Sequence, residues 1–136
     1  MTDYEAVLVE LGLSHAEVRA ISENMQDQIP MPRAYDVEVR PSPIEGLGVF
    51  VTRPFRQGEI IAPARIGARR TPVGRYTNHA KSPNCRMLAV FPRKRLVLVA
   101  FADIAAGEEV TVDYLDARKA ALYLDKVSAQ QEGTSV

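Results

Sequence analysis

Apolar and polar positions follow two different periods along this chain. Up to about residue 34 the period is helical. Tyr4, Val7, Leu8 and Leu11 recur at i, i+3, i+4 and i+7 behind a T-x-x-E capping box at Thr2 and Glu5, and Gly12 is a natural stop. Val18, Ile21 and Met25 line a second face behind a similar box at Ser14 and Glu17, and Pro30 and Pro32 close the zone. From about 35 to 116 the pattern changes to short β-rich runs at 36–39, 48–52, 59–61, 87–91, 95–101 and 110–114. Pro92-Arg93-Lys94 reads as a hairpin tip, and Pro54, Gly58 and Gly107 punctuate the other runs. From about Leu115 the helical period returns at Ala117, Ala120, Ala121, Leu124 and Val127. Asp116 is placed to cap this helix, and the polar end AQQEGTSV predicts a frayed tail. The expected fold is mainly β, α+β overall. It has a helical segment at 1–34, a β core at 35–116, and a helix with its tail at 117–136. Many short strands with turn signals point to a compact β architecture rather than βαβ units.

Composition narrows the function classes. The 136 residues are one domain's worth of chain. Seventeen Lys plus Arg balance seventeen Asp plus Glu, which disfavours a globally basic nucleic-acid binder. One cysteine, Cys85, allows no internal disulfide. With only His15 and His79 beside it, no metal site is expected. No apolar run approaches the ~20 residues of a membrane helix. The acidic N-terminus lacks the basic start of a secretory signal. The expectation is a soluble intracellular protein without membrane contact, cytoplasmic in a bacterial or viral setting, with a nuclear site left open.

Three segments of the β zone concentrate residues suited to chemistry. Ser42-Pro-Ile-Glu-Gly-Leu-Gly-Val-Phe50 places Gly46 and Gly48 around Leu47 before a strand, where backbone can approach a ligand. Arg75-Tyr-Thr-Asn-His-Ala-Lys-Ser-Pro-Asn-Cys85 groups Asn78, His79 and Asn84, side chains with directional donors and acceptors. A Cys85–His79 nucleophile pair is one reading of it, and a small buried apolar Cys85 is the other. Gly107-Glu-Glu-Val-Thr-Val-Asp-Tyr114 leads from a turn into a strand ending at Asp113-Tyr114.

In this order, the three segments resemble the SET domain of protein-lysine methyltransferases, in its small, minimal bacterial or viral form. S-P-I-E-G-L-G-V-F looks like the family's first motif, R-Y-T-N-H-A-K-S-P-N-C like its R-F-x-N-H-S-x-x-P-N-C signature, and A-D-I-A-A-G-E-E-V-T-V-D-Y like its closing I-x-x-G-E-E-L-T-x-D-Y strand. The resemblance runs from about Val37 to Tyr114. It implies a SET-type β-clip core with knot-like threading, flanked here by two short N-terminal helices and a C-terminal helix. It also implies S-adenosylmethionine as cofactor and methyl transfer to the side-chain amine of a protein lysine. On this resemblance Gly46, Leu47 and Gly48 lie against the methionine part of the cofactor. Arg75 and Tyr76 flank it, and Asn78 and His79 hold it, the His79 backbone reading the adenine. Tyr114 is the catalytic tyrosine and also part of the cofactor site, its hydroxyl beside the methyl–sulfur axis. Replacing Asn78 by Ala is then expected to weaken cofactor binding with little change in fold.

Two features depart from the family. The usual long insert before the N-H motif is only thirteen residues here, APARIGARRTPVG at 62–74, and a small Val112 stands two places before Tyr114. A shortened groove wall predicts a homodimer in contact near 62–74 or the flanking helices. Other readings are a non-catalytic SET-fold binding module and a helix-turn-helix around Leu11-Gly-Leu-Ser14. The acidic second helix of the latter, with Glu17, Glu23 and Asp27, would repel phosphate. Arg65, Arg69, Arg70 and Arg93-Lys94-Arg95 form either a basic patch or solvated loop charges.

Overall fold

The computed structural model describes residues 28–134 together with Ala6, Val9, Gly12 and Ser14. Ala6 and Val9 are helical, and Gly12 takes φ +68 with its N–H on the Val9 carbonyl, the stop expected for a first helix. The expected second helix and the helix-turn-helix reading lie outside the described residues.

Eight strands and two helices follow. β1 (Val37–Pro41) and β2 (Leu47–Val51) form an antiparallel hairpin, with Val37 opposite Val51 and Pro41 opposite Leu47. β3 (Ile60–Ile66), β4 (Arg69–Arg70), β6 (Cys85–Val90) and β7 (Arg95–Ala100) make an antiparallel sheet in the order β4-β3-β7-β6. The β6–β7 hairpin turns at Pro92-Arg93-Lys94 as expected. β5 (Asn78–His79) and β8 (Thr111–Val112) are short and pair in parallel, Asn78 against Thr111 and His79 against Val112.

Residues 62–74 are built differently from the connecting stretch the sequence suggested. β3 continues to Ile66, turns into β4, and Thr71 then caps α1 (Pro72–Tyr76), accepting from the Gly74 N–H at 3.3 Å. The Thr71 hydroxyl donates to the Pro63 carbonyl at 2.6 Å, and its N–H to Ala64 at 3.0 Å. A Cβ at position 74 would overlap the Ala64 carbonyl oxygen, so only glycine lets α1 lie against β3.

α2 (Tyr114–Thr134) starts one residue before Leu115 and runs through most of the tail expected to fray. Its cap is Asp113, whose carboxylate accepts from the Leu115 N–H at 2.9 Å. Asp116, the expected cap, instead makes a two-pronged ion pair with Arg86 at 3.0 and 3.1 Å. Leu124, fully buried, seats the helix on the core, which it meets at β6 and β7.

Candidate functional site

The segment from Gly107 to Val112 brings the three motifs together. It first runs antiparallel to β2, with Gly107 N–H on the Val51 carbonyl and Val110 N–H on that of Val49, at 2.7 and 2.8 Å. It then becomes β8, parallel to β5. The glycine turn therefore lies on one side of this segment and Asn78-His79 on the other.

Asn84 holds it there. Its amide nitrogen donates to the Glu109 carbonyl and its oxygen accepts from the Thr111 N–H, both at 2.8 Å, completing a strand edge with a side chain. Cys85, next to it, is fully buried, and burial pushes its thiol up to about 12. It is a protonated core residue at neutral pH, not one half of a nucleophile pair with His79.

Of the candidate cofactor residues, Gly46, Leu47, Gly48 and Asn78 meet directly. The Asn78 amide donates to the Glu45 and Leu47 carbonyls at 3.1 Å each and to Glu109 Oε2 at 2.9 Å. Asn78 is therefore a buried brace of the turn, and its replacement would disturb the fold locally, contrary to the sequence expectation. Leu47 projects outward, 43% exposed. Gly46 takes φ +46 in the turn.

Glu109 was missed by sequence reasoning. Its carboxylate accepts from the Ser42 hydroxyl at 2.8 Å and from Asn78, and it fills the space in which a Gly48 Cβ would stand. Gly48 thus admits the protein's own carboxylate. The G-E-E-x-T signature was the available signal, without an indication of which oxygen acceptor it supplies.

His79 is 6% exposed. Its Nδ1 accepts from the Tyr114 N–H at 3.1 Å, and the two rings stand 5.2 Å apart. That bond fixes the first residue of α2 against β5. The Tyr114 hydroxyl donates to the Thr77 carbonyl at 3.2 Å. Arg75 lies 4.9 Å from the Tyr76 ring and donates to Gln28 at 2.7 Å. This pair stands at the end of α1, one residue from β5.

On the other side of Tyr114 is a cavity of about 510 Å³. β3 and β4 provide Ala64, Arg65 and Arg70, α1 provides Gly74, and α2 provides Tyr114, Ala117, Arg118 and Ala121. Thr77, Met87, Leu96 and Val112 also line it. None of the glycine-turn residues does, nor do Arg75, Tyr76, Asn78 or His79. Tyr114 therefore belongs to both regions: it lines the cavity, and its backbone N–H and its ring both meet His79. α2 forms one wall of this cavity. Among the described residues there is no group of His, Cys, Asp and Glu able to hold a metal ion. No helix among them is long and apolar enough to cross a membrane.

Comparison with known proteins locates the resemblance. The SET domain family model matches residues 64–115. An H3 lysine-4-specific histone-lysine N-methyltransferase of Saccharomyces cerevisiae is 46% identical over 44 residues, 31% of this chain and 4% of that protein. The N-lysine methyltransferase KMT5A-A of Danio rerio is 40% identical over 52 residues, 37% of this chain and 15% of that protein. The matched region thus spans a small fraction of either relative. Among solved structures, a candidate histone methyltransferase of Plasmodium falciparum superposes with a TM-score of 0.51 at 18% identity, covering 60% of this chain and 95% of the other. The humanized mutant Polycomb Repressive Complex 2 of Chaetomium thermophilum gives 0.53 at 22% identity over 62% of this chain and 15% of that one. These likenesses establish the mainly-β SET fold.

Proposed function

We propose that this chain, which carries a SET domain over residues 64–115 within a SET-type fold, transfers a methyl group from S-adenosylmethionine to the side-chain amine of a protein lysine. The observation that carries the reading is the place of Tyr114, between a cavity open to solvent and the buried Asn78-His79 strand beside the glycine turn.

The residues fit the cofactor. The Gly46-Leu47 backbone stands open next to Gly46, where a Cβ would meet nothing within 4 Å. Beside it, Asn78 spends its donors on the protein and keeps its carbonyl oxygen as an acceptor, which matches the ammonium of a methionine moiety. Gly46, Leu47, Gly48, Arg75, Tyr76, Asn78 and His79 would hold the cofactor. When bound, it supplies a methyl group on a positively charged sulfur, open to in-line attack by a neutral amine.

The chain's own work is to deliver that amine neutral and aligned. A lysine has an ordinary pKa near 10.4, so it enters as a cation. The apolar surfaces of Ala64, Met87, Leu96, Val112, Ala117 and Ala121 disfavour the charged form, and the nearby guanidinium groups act in the same direction. Among the described residues the lining contains no carboxylate or imidazole to serve as a base. The proton is lost to water, and the rate gain comes from alignment, which can be worth ~7–11 kcal/mol. In this reading the orienting role falls to the Tyr114 hydroxyl, which donates to the Thr77 carbonyl.

A soluble intracellular setting and a lysine-bearing protein partner belong to the same proposal. A homodimer in contact near 62–74 or the flanking helices belongs to the proposal as well, since α2 supplies one wall of the cavity and leaves it open to solvent. The test is proteome-wide labelling with tritiated cofactor, with and without the protein. New labelled protein bands sensitive to Tyr114→Phe support the enzyme. Cofactor binding without labelling would leave a SET-fold binding module.

A further inference from the structure

Glu109 is a partly buried carboxylate that makes no ion pair among the described residues. Its side-chain partners are neutral: the Ser42 hydroxyl, 2.8 Å from either oxygen, and the Asn78 amide nitrogen, 2.9 Å from Oε2. Arg40, opposite Gly48 in the β1–β2 hairpin, bonds Glu38 and the Gly107 carbonyl instead. Withdrawing a carboxylate from water without an opposite charge is costly. The negative charge acts through Asn78. Three oxygens surround the Asn78 amide nitrogen: the Glu45 and Leu47 carbonyls and Glu109 Oε2. Turned over, the amide would set its own oxygen against all three, one of them charged. The nitrogen is therefore fixed toward the turn, and the amide oxygen faces away with no donor bound to it among the described residues. A carboxylate accepting from an amide N–H polarises it and leaves the amide oxygen more negative. Such an oxygen favours a charged N–H over a neutral one.

We propose that Glu109 is the positioning residue for the ammonium end of the cofactor: it orients and polarises the Asn78 amide, whose oxygen then selects a ligand with a charged amine. The inference rests on the methyl-transfer reading for the identity of the ligand, while the Glu109–Asn78 relay stands on its own hydrogen bonds. Glu109 does not line the cavity beside Tyr114, so its effect belongs to binding and not to the transfer step.

The test is calorimetry on the full chain with two ligands: S-adenosylhomocysteine, and the same molecule with hydrogen in place of its amino group. Wild type should bind the amine-bearing ligand about tenfold tighter, the order of one hydrogen bond from a charged donor. Glu109→Gln keeps the length of the side chain and one oxygen but removes the charge, and should collapse that ratio toward one. Glu109→Asp keeps the charge but draws it back from Asn78, and should give an intermediate ratio, a second reading should the glutamine variant not fold. Ser42→Ala removes the hydroxyl that holds both the carboxylate and the Ile44 N–H, yet leaves the Glu109–Asn78 bond, and should preserve the ratio. A purely bracing Glu109 would weaken both ligands by the same factor in Glu109→Gln, and that unchanged ratio would overturn the proposal. So would a ratio near one in wild type, or a ratio lost equally in Ser42→Ala. Methyl transfer measured alongside separates the two ideas: the Glu109→Gln defect should appear in the KM for the cofactor, about fivefold or more, rather than in kcat. Amine-dependent binding with no transfer to any protein removes the enzyme and keeps the role of Glu109. Transfer with an unchanged ligand ratio keeps the enzyme and removes that role. No binding of either ligand removes both.

Discussion

Gly48 and Glu109 should behave as one unit, and a double-mutant cycle reads this directly. Gly48→Ala places a methyl group where Glu109 Oε2 stands, 2.9 Å from Glu109 Cδ and 3.0 Å from Ser42 Cβ. The end of a long side chain normally moves aside at small cost. Here it is held by Ser42 Oγ at 2.8 Å and Asn78 Nδ2 at 2.9 Å. Bonds to a charged acceptor are worth about 1.5–3 kcal/mol each when lost, less for a partly exposed group. Gly48→Ala alone should therefore cost about 2–3 kcal/mol, and Glu109→Ala a similar amount. Once Glu109 is truncated, the methyl meets only the Ser42 Cβ, so Gly48→Ala becomes nearly neutral. It even recovers part of the ~0.4–1 kcal/mol that alanine saves in unfolded-chain entropy. The coupling energy is then about 2 kcal/mol, well above the ~0.5 kcal/mol scatter of independent sites. Urea unfolding of the four proteins measures it from the midpoints at constant slope. Additive costs, or a neutral Gly48→Ala in the wild-type background, would refute the reasoning.

Other expectations follow from the same contacts. Asn78→Ala removes three hydrogen bonds from a nearly buried site and should lower stability by about 2–4 kcal/mol as well as cofactor affinity. Unchanged urea midpoints would contradict the bracing role. Gly74→Ala drives a methyl group into the Ala64 carbonyl, a backbone atom that cannot turn away, and should cost more than 3 kcal/mol or prevent folding. A soluble variant with wild-type stability would show that α1 can lift off β3 freely. Cys85 titrates near 12 in the folded chain and near 9.0 as a free thiol, so the unfolded state loses its proton first as pH rises. Its contribution is complete below pH 9.0 and is lost toward pH 12, at up to ~1.4 kcal/mol per pH unit. Cys85→Ala should flatten that alkaline decline, and an identical slope in both proteins would remove Cys85 as its cause.

The strand runs, the hairpin tip at Pro92-Arg93-Lys94 and the stop at Gly12 were legible in the sequence because each depends on local backbone chemistry. The start of α1 was legible too, since Thr71-Pro72 is a cap followed by proline at the first turn, but the short element was masked by its place inside an arginine-rich stretch. The tail of α2 looked frayed for its polarity. Yet Ala129, Gln130 and Gln131 are good helix formers, and polarity along an exposed helix is no break. The choice between Asp113 and Asp116 as cap turned on where the chain leaves β8, which spacing alone does not contain. At the site, the motif spacing pointed to the glycine turn, Asn78-His79 and Tyr114. It could not show that Asn78 and Glu109 bind the protein itself, because those partners are distant in sequence and meet only through the β2–β8–β5 arrangement. The convergence of Arg65, Arg70 and Arg118 on one cavity has the same origin.

The central claim is that the Tyr114 hydroxyl serves the transfer step while the glycine turn and Asn78-His79 serve binding. Tyr114→Phe loses the hydrogen bond to Thr77 and keeps the ring beside His79 and the backbone bond to Nδ1. The fold should persist with a cost of about 1 kcal/mol. The direct measurement pairs calorimetry of S-adenosylmethionine binding with the rate of tritiated methyl transfer to a labelled protein substrate, for wild type and Tyr114→Phe. The account predicts cofactor affinity within about twofold and a transfer rate lower by about a hundredfold, the order of a lost preorganised polar group at a reacting centre. Full transfer activity in Tyr114→Phe, or loss of cofactor binding together with activity, would contradict it.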